Sequence, residues 1–228
     1  MLVLAALATT GLSVGWIWSK ADAVTPVALP SGNQAPIKTV DPSVSPSSTP
    51  PPVGKVLGTE MVAANNDTMP IMSSAWINYI DETGLVGGAA IWYTVHANYD
   101  GKGAKWGNVA TFGQLAPDIP VKNTAAGLKA AAIQGGSRAI VGLYGKGVVI
   151  LKGTTHKAIT VDGHAGHELV AKVQVKQAGV KETYSTVMIA VIDRGDGTAD
   201  MAVADIAGST SAWQPIWRAK VSQIKINR

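Results

Sequence analysis

Asp162-Gly163-His164-Ala165-Gly166-His167-Glu168 is the densest cluster of potential metal ligands in this sequence. His164 and His167 share a face only in a helix, and Gly163 and Gly166 weigh against one. In a turn entering a strand, the two histidines still have a route to a divalent cation with Asp162 or Glu168. The spacing departs from the two helical histidines, four apart, of a zincin. An exposed polar turn explains the same residues with fewer demands, so a metal-dependent hydrolase centred on His164 and His167 is the weakest functional reading. His96 and His156 are isolated and read as surface or partly buried side chains.

Two further runs invite chemistry. Asp193-Arg194-Gly195-Asp196-Gly197-Thr198 holds an Arg-Gly-Asp tripeptide and a loose likeness to a calcium loop. Arg194 and Gly195 interrupt the alternate oxygen ligands that an EF-hand requires. A hairpin that uses Asp and Gly at positive φ explains every residue there. Gly101-Lys102-Gly103-Ala104-Lys105-Trp106-Gly107 lacks the Lys-Ser/Thr that opens the helix of a P-loop. It reads as a flexible loop whose Lys102 and Lys105 touch an anionic surface.

Several chemistries have no carrier. The chain has no cysteine, which excludes disulfides, thiolate zinc sites and a Cys nucleophile. No Gly-x-Ser-x-Gly elbow or Ser-x-x-Lys motif occurs. Asp81-Glu82 has no paired acid that would support glycosidase chemistry. No cofactor is called for. The formal charge of +4 is mild, but residues 102–181 hold eleven Lys/Arg against Asp118, Asp162 and Glu168, a local excess of eight. Such an excess suits anionic headgroups or wall polymers, although lysines at strand edges account for much of it. Aromatic residues on adjacent strands, as RNA readers use them, are not evident, so nucleic acid is not an expected partner.

The elements that position these residues fall into three regions. Met1 to Trp18 carries no charge and is just long enough for a bilayer helix. Trp16, Trp18 and Lys20 resemble interfacial anchors, whereas Ala21-Asp22-Ala23 offers a signal cleavage site before Val24. Met1 opens directly onto Leu2 without a basic segment, so the true start is expected upstream or a short head is absent. Residues 1–20 thus read as a membrane anchor or signal, and both readings place the rest outside the cytoplasm. Residues 21–54 read as an extended linker, because eight of the 12 prolines and many serines fall there. Residues 55–228 remain for one folded domain.

Within that domain, residues 76–81, 88–96 and 106–112 read as strands. Asn123-Thr124 opens a helix that Gly135-Gly136 is expected to stop. Residues 139–144 and 147–152 then read as a hairpin across Gly145-Lys146. Residues 167–177, 184–192 and 198–206 read as successive antiparallel strands, and Ser211 to about Gln223 as a closing helix with Trp213, Ile216, Trp217 and Val221 on one face. Strands, a helix, a long meander and a final helix argue an α+β class with an antiparallel sheet covered by two helices.

The run WGNVATFGQLAPDIPVKNTAAGLKAAAIQ, the meander ITVDGHAGHELVAKVQVK…KETYSTVMIAVIDRGDGTADMAVADI and the terminal TSAWQPIWRAKVSQIKI resemble the PsbP-like fold over residues 76–228. The resemblance lies in topology and turn placement and includes no diagnostic motif. Related domains of actinobacterial envelope proteins are tethered behind one helix and a Pro/Ser linker. The resemblance implies a mostly non-catalytic protein: an assembly subunit, scaffold or ligand binder, with no catalytic residue to carry over. The favoured reading is therefore a non-enzymatic envelope protein, anchored by its N-terminal helix or secreted, that binds a partner protein or an anionic envelope polymer. The alternative is a small-ligand module with a pocket between the sheet and both helices, lined by Trp92, Trp106 or Trp213.

Overall fold

A computed structural model describes residues 53–79 and 83–227. The expected membrane anchor and linker at 1–54 lie almost wholly outside the described residues. Among those described, no helix is long and apolar enough to cross a membrane. In chain order, β1 (Lys55–Leu57), β2 (Glu60–Val62) and β3 (Thr68–Pro70) form a small three-stranded sheet that the sequence reading did not foresee.

Seven strands make the main sheet: β4 (Ile77–Tyr79), β5 (Val86–Ala97), β6 (Lys105–Gln114), β7 (Ile150–Val161), β8 (His164–Gln174), β9 (Tyr184–Asp193) and β10 (Ala199–Ala207). Their spatial order is β4-β5-β6-β10-β9-β8-β7, and every neighbouring pair is antiparallel. Two meanders thus meet at the β6–β10 seam. Helices α1 (Ala125–Tyr144) and α2 (Trp213–Val221), the latter led in by a 3-10 turn at Gly208–Thr210, complete the α+β architecture.

The central strands of the sheet are buried on both faces, and residue parity decides which layer each side chain joins. In β10, Ala202, Ala204 and Ile206 pack with Phe112, Met61, Met69, Trp217 and Val221, under the small sheet and α2. Ala199, Met201 and Val203 face the other way, onto Ala131, Ala132, Ala139 and Ile140 of α1. The two helices therefore cover opposite faces, so no single pocket lies between the sheet and both. Each fully buried Ile or Met contributes about 1.5–3 kcal/mol to this three-layer packing.

The expected stop at Gly135-Gly136 does not occur, and residues 139–144 are helix, not strand. Thr124 caps α1, its Oγ1 accepting from Gly127 N at 3.0 Å. The two glycines then sit against the sheet. A Cβ at Gly135 would lie 2.7 Å from Met201 Sδ and 2.8 Å from Leu115 Cδ1. Glycine here permits close helix–sheet approach, and burial of Ala139 and Ile140 outweighs its poor helix propensity. The helix ends where Gly145 takes φ 76°. The expected hairpin across Gly145-Lys146 is thus a helix cap, and the strand that follows runs on to Val161, where Asp162-Gly163 turns into β8.

Candidate functional site

A cleft of about 400 Å³ lies between the C-terminal end of α1 and residues of β4, β5, β6 and β10, and the segments that lead into β7 and out of β8 close its side. Tyr79 and Trp92 form an aromatic wall, because register pairs their strands and brings the rings to a centroid separation of 5.0 Å. Trp92 Nε1 is fixed by donation to Thr94 Oγ1 at 3.1 Å. Trp106 also lines the cleft, and its ring lies beside that of His96 at 5.8 Å. Val109, Leu143, Val148 and Val149 add apolar surface, whereas Lys146 and Lys176 are exposed at the rim.

An acid sits at the back of this cleft. Asp205 is 6% exposed, and its Oδ2 accepts from Tyr144 Oη at 2.6 Å. Its Oδ1 is buried without a hydrogen-bond partner. Burial pushes the Asp205 carboxyl up to about 6, although the Tyr144 and Ser185 hydroxyls pull it down. Ser185 is close enough to exert that pull, yet its Oγ makes no hydrogen bond of good geometry. Burial and the adjacent Asp205 also push the Tyr144 phenol up, so it stays a protonated donor.

Of the residues singled out in the sequence, the structure brings Trp92 and Trp106 together in this cleft and leaves Trp213 on the opposite face. There Trp213 packs edge-on against Trp76, with centroids 5.4 Å apart, and beside Tyr93 at 5.5 Å. Lys102 and Lys105 are exposed on the β5–β6 hairpin, outside the cleft. That hairpin is tied internally: Asp100 Oδ1 accepts from Lys102 N at 2.8 Å and Ala104 N at 3.0 Å. Asn98 Oδ1 accepts from Gly103 N.

His164 and His167 are not brought together, because positions three apart in a strand face opposite sides. His164 Nδ1 donates to the Asp193 carbonyl at 2.8 Å, whereas His167 Nε2 lies 3.2 Å from His156 Nδ1. Burial pushes both His156 and His167 down, and nearby Lys129 adds to the effect. Among the described residues, no group of three or more His, Cys, Asp or Glu gathers as a ligand set.

A second polar centre joins Asn65, Asp67, Arg194 and Asp200. Asn65 Nδ2 donates to Asp67 Oδ2 and Asp200 Oδ1, both at 2.9 Å. Both acids are 0% exposed, so this carboxyl pair offers a substrate no approach and serves as structure. Arg194 of the Arg-Gly-Asp run is spent inside this centre, while Gly195 at φ 83° and Gly197 at φ 86° make the turn expected of them.

No family model matches the chain, and no curated protein matches it in sequence. Among solved structures, it is similar to the cyanobacterial PsbP (CyanoP) of Synechocystis sp. PCC 6803, with 12% identity, TM-score 0.44, and coverage of 72% of this chain and 88% of that one. It is also similar to a Pseudomonas aeruginosa protein of unknown function, with 12% identity, TM-score 0.39, and coverage of 68% and 99%. A third is the Saccharomyces cerevisiae Ran-binding protein Mog1p, with 10% identity, TM-score 0.40, and coverage of 70% and 89%.

Proposed function

We propose that this chain is a non-enzymatic binding module of the cell envelope, which captures a partner protein or envelope component with the aromatic cleft beside α1. Residues 1–20 anchor it to the membrane, or release it after Ala23, and residues 21–54 hold the domain away from the bilayer. The single observation that supports this reading is the cleft: a concave site lined by apolar and polar surface in about equal measure, within the roughly 300–1,000 Å³ typical of ligand sites. Its polar groups engage one another as an acceptor and a donor, Asp205 and Tyr144, an arrangement suited to recognition.

A photo-crosslinking amino acid at Val149, which lines the cleft, tests the proposal in intact cells. It is expected to trap a discrete adduct, lost on Trp92→Ala, whereas the same probe at exposed Leu57 traps none. Equal adducts from both positions would defeat the cleft assignment. Recovery of the full-length chain in the cytosol would defeat the placement outside the membrane.

A further inference from the structure

The cleft presents three demands to a ligand, each set by different residues. The Tyr79–Trp92 wall, with rings 5.0 Å apart and tilted by 30°, asks for an apolar, ring-sized face. Tyr144, on the floor, gives its hydroxyl proton to Asp205 Oδ2 and keeps the lone pairs of its Oη, and so asks for a donor. Lys146 and Lys176, at the rim, have no ion-pair partner among the described residues and ask for negative charge. Few ligand chemistries meet all three. A hydrocarbon leaves Tyr144 and the lysines unanswered. A simple anion gains nothing from the wall and meets an acid at the floor. An acidic peptide has the charge but no face that is apolar on one side and lined with hydroxyl donors at its edge.

We infer that the cleft holds an acidic sugar, a pyranose ring bearing a carboxylate. Its C–H face lies on Trp92, a ring hydroxyl points to the Tyr144–Asp205 pair, and its carboxylate lies between Lys146 and Lys176. This rests on the cleft being the binding site proposed above and names the chemistry that it selects. The fit is one of shape and charge together. The cleft volume of about 400 Å³ suits a short glycan segment, and the exposed lysines leave the chain free to continue into solvent.

Short oligogalacturonate is the probe, and its fully methyl-esterified form is the control that keeps the rings and removes the charge. Binding is followed by calorimetry and by the indole N–H resonance of Trp92, assigned from its loss in Trp92→Phe. The acid form is expected to shift that resonance and to bind at least about tenfold more tightly than the ester, because charge-assisted hydrogen bonds to lysine are lost in the ester. Lys146→Ala and Lys176→Ala should each weaken binding by about tenfold. Lys102→Ala, outside the cleft, should leave it unchanged. Equal binding of ester and acid, equal binding of polyglutamate, or equal weakening by Lys102→Ala would overturn the assignment. A cleft that still forms the Val149 adduct in cells yet ignores oligogalacturonate sinks the sugar alone. Loss of both removes the binding site as well.

Discussion

Arg194 donates from Nε to Asp67 Oδ2 at 2.7 Å, joining residues 127 positions apart. The same guanidinium reaches Asp196 Oδ2 at 2.9 Å through Nη1 and the Asn227 carbonyl at 3.0 Å through Nη2. One side chain thus fastens the β9–β10 turn, the β2–β3 turn and the segment after α2. Without it, Asp67 would be a buried charge held only by Asn65 and the Asn227 amide.

Arg194→Ala should therefore destabilise the domain by about 3 kcal/mol, the usual cost of orphaning one half of a buried pair. Arg194→Lys should recover less than half of that, because one ammonium cannot serve three acceptors in fork geometry. Denaturant midpoints at neutral pH check both; an Ala variant as stable as the parent would show the pair to be idle.

Asp200 shares this site, and burial, then the neighbouring Asp67, push its carboxyl well above the ordinary carboxylate range; Asn65 and Arg194 oppose that only in part. A carboxyl raised in the folded state stabilises most at pH values below its unfolded pKa of about 4. That advantage fades as pH rises toward the folded value. Asp200→Asn should accordingly flatten the decline in stability above pH 4 and leave a variant more stable than the parent at alkaline pH. Thermal midpoints from pH 4 to 9 measure it.

Asp205 produces a narrower window of the same sign. Its folded pKa of about 6 exceeds the ordinary 3.8, so stability should fall between those values and level off above them. The shift corresponds to on the order of 3 kcal/mol. Asp205→Asn keeps an acceptor for Tyr144 and removes the titration, so the slope between pH 4 and 6 should shrink by that amount. A slope unchanged in the variant would place the acid-range titration elsewhere.

Gly135→Ala and Gly136→Ala separate packing from helix propensity. At Gly135 the new methyl meets two buried side chains below 3 Å, and overpacking of about 1–3 kcal/mol outweighs a propensity gain of about 1. At Gly136 the nearest atom is Ile189 Cδ1 at 3.3 Å, so a small adjustment suffices and the variant should match or exceed the parent. Opposite ranking in urea melts would contradict the close docking of α1.

The class of the fold was legible because it depends on local signals: Thr124 as a cap, Asp193 to Gly197 as a turn, and the alternation of residues 167–175. The same local reading failed at Gly135-Gly136, where glycines that weaken an isolated helix serve close contact with Met201 and Leu115. Most of β7 gave no signal, since ILKGTTHKAITV is an edge strand exposed along most of its length and carries no apolar alternation. The cleft was half visible. Trp92 and Trp106 stood out as large aromatic residues, and Trp213 was grouped with them because sequence does not tell one sheet face from the other. Tyr144 was hidden by its misassigned strand. Asp205 had one clue, being with Asp200 one of two acids in the otherwise apolar run ADMAVADIA, and its meaning depends on which side chains register brings beside it.

Strands β9 and β10 lie at the middle of the sheet, each hydrogen-bonded on both sides and covered by an apolar layer above and below. Pairing and burial on every side make their amides the last to open, so deuterium is expected to enter them only when the whole domain unfolds. Their exchange rates thus supply a built-in gauge of global stability, readable by mass spectrometry on the intact chain.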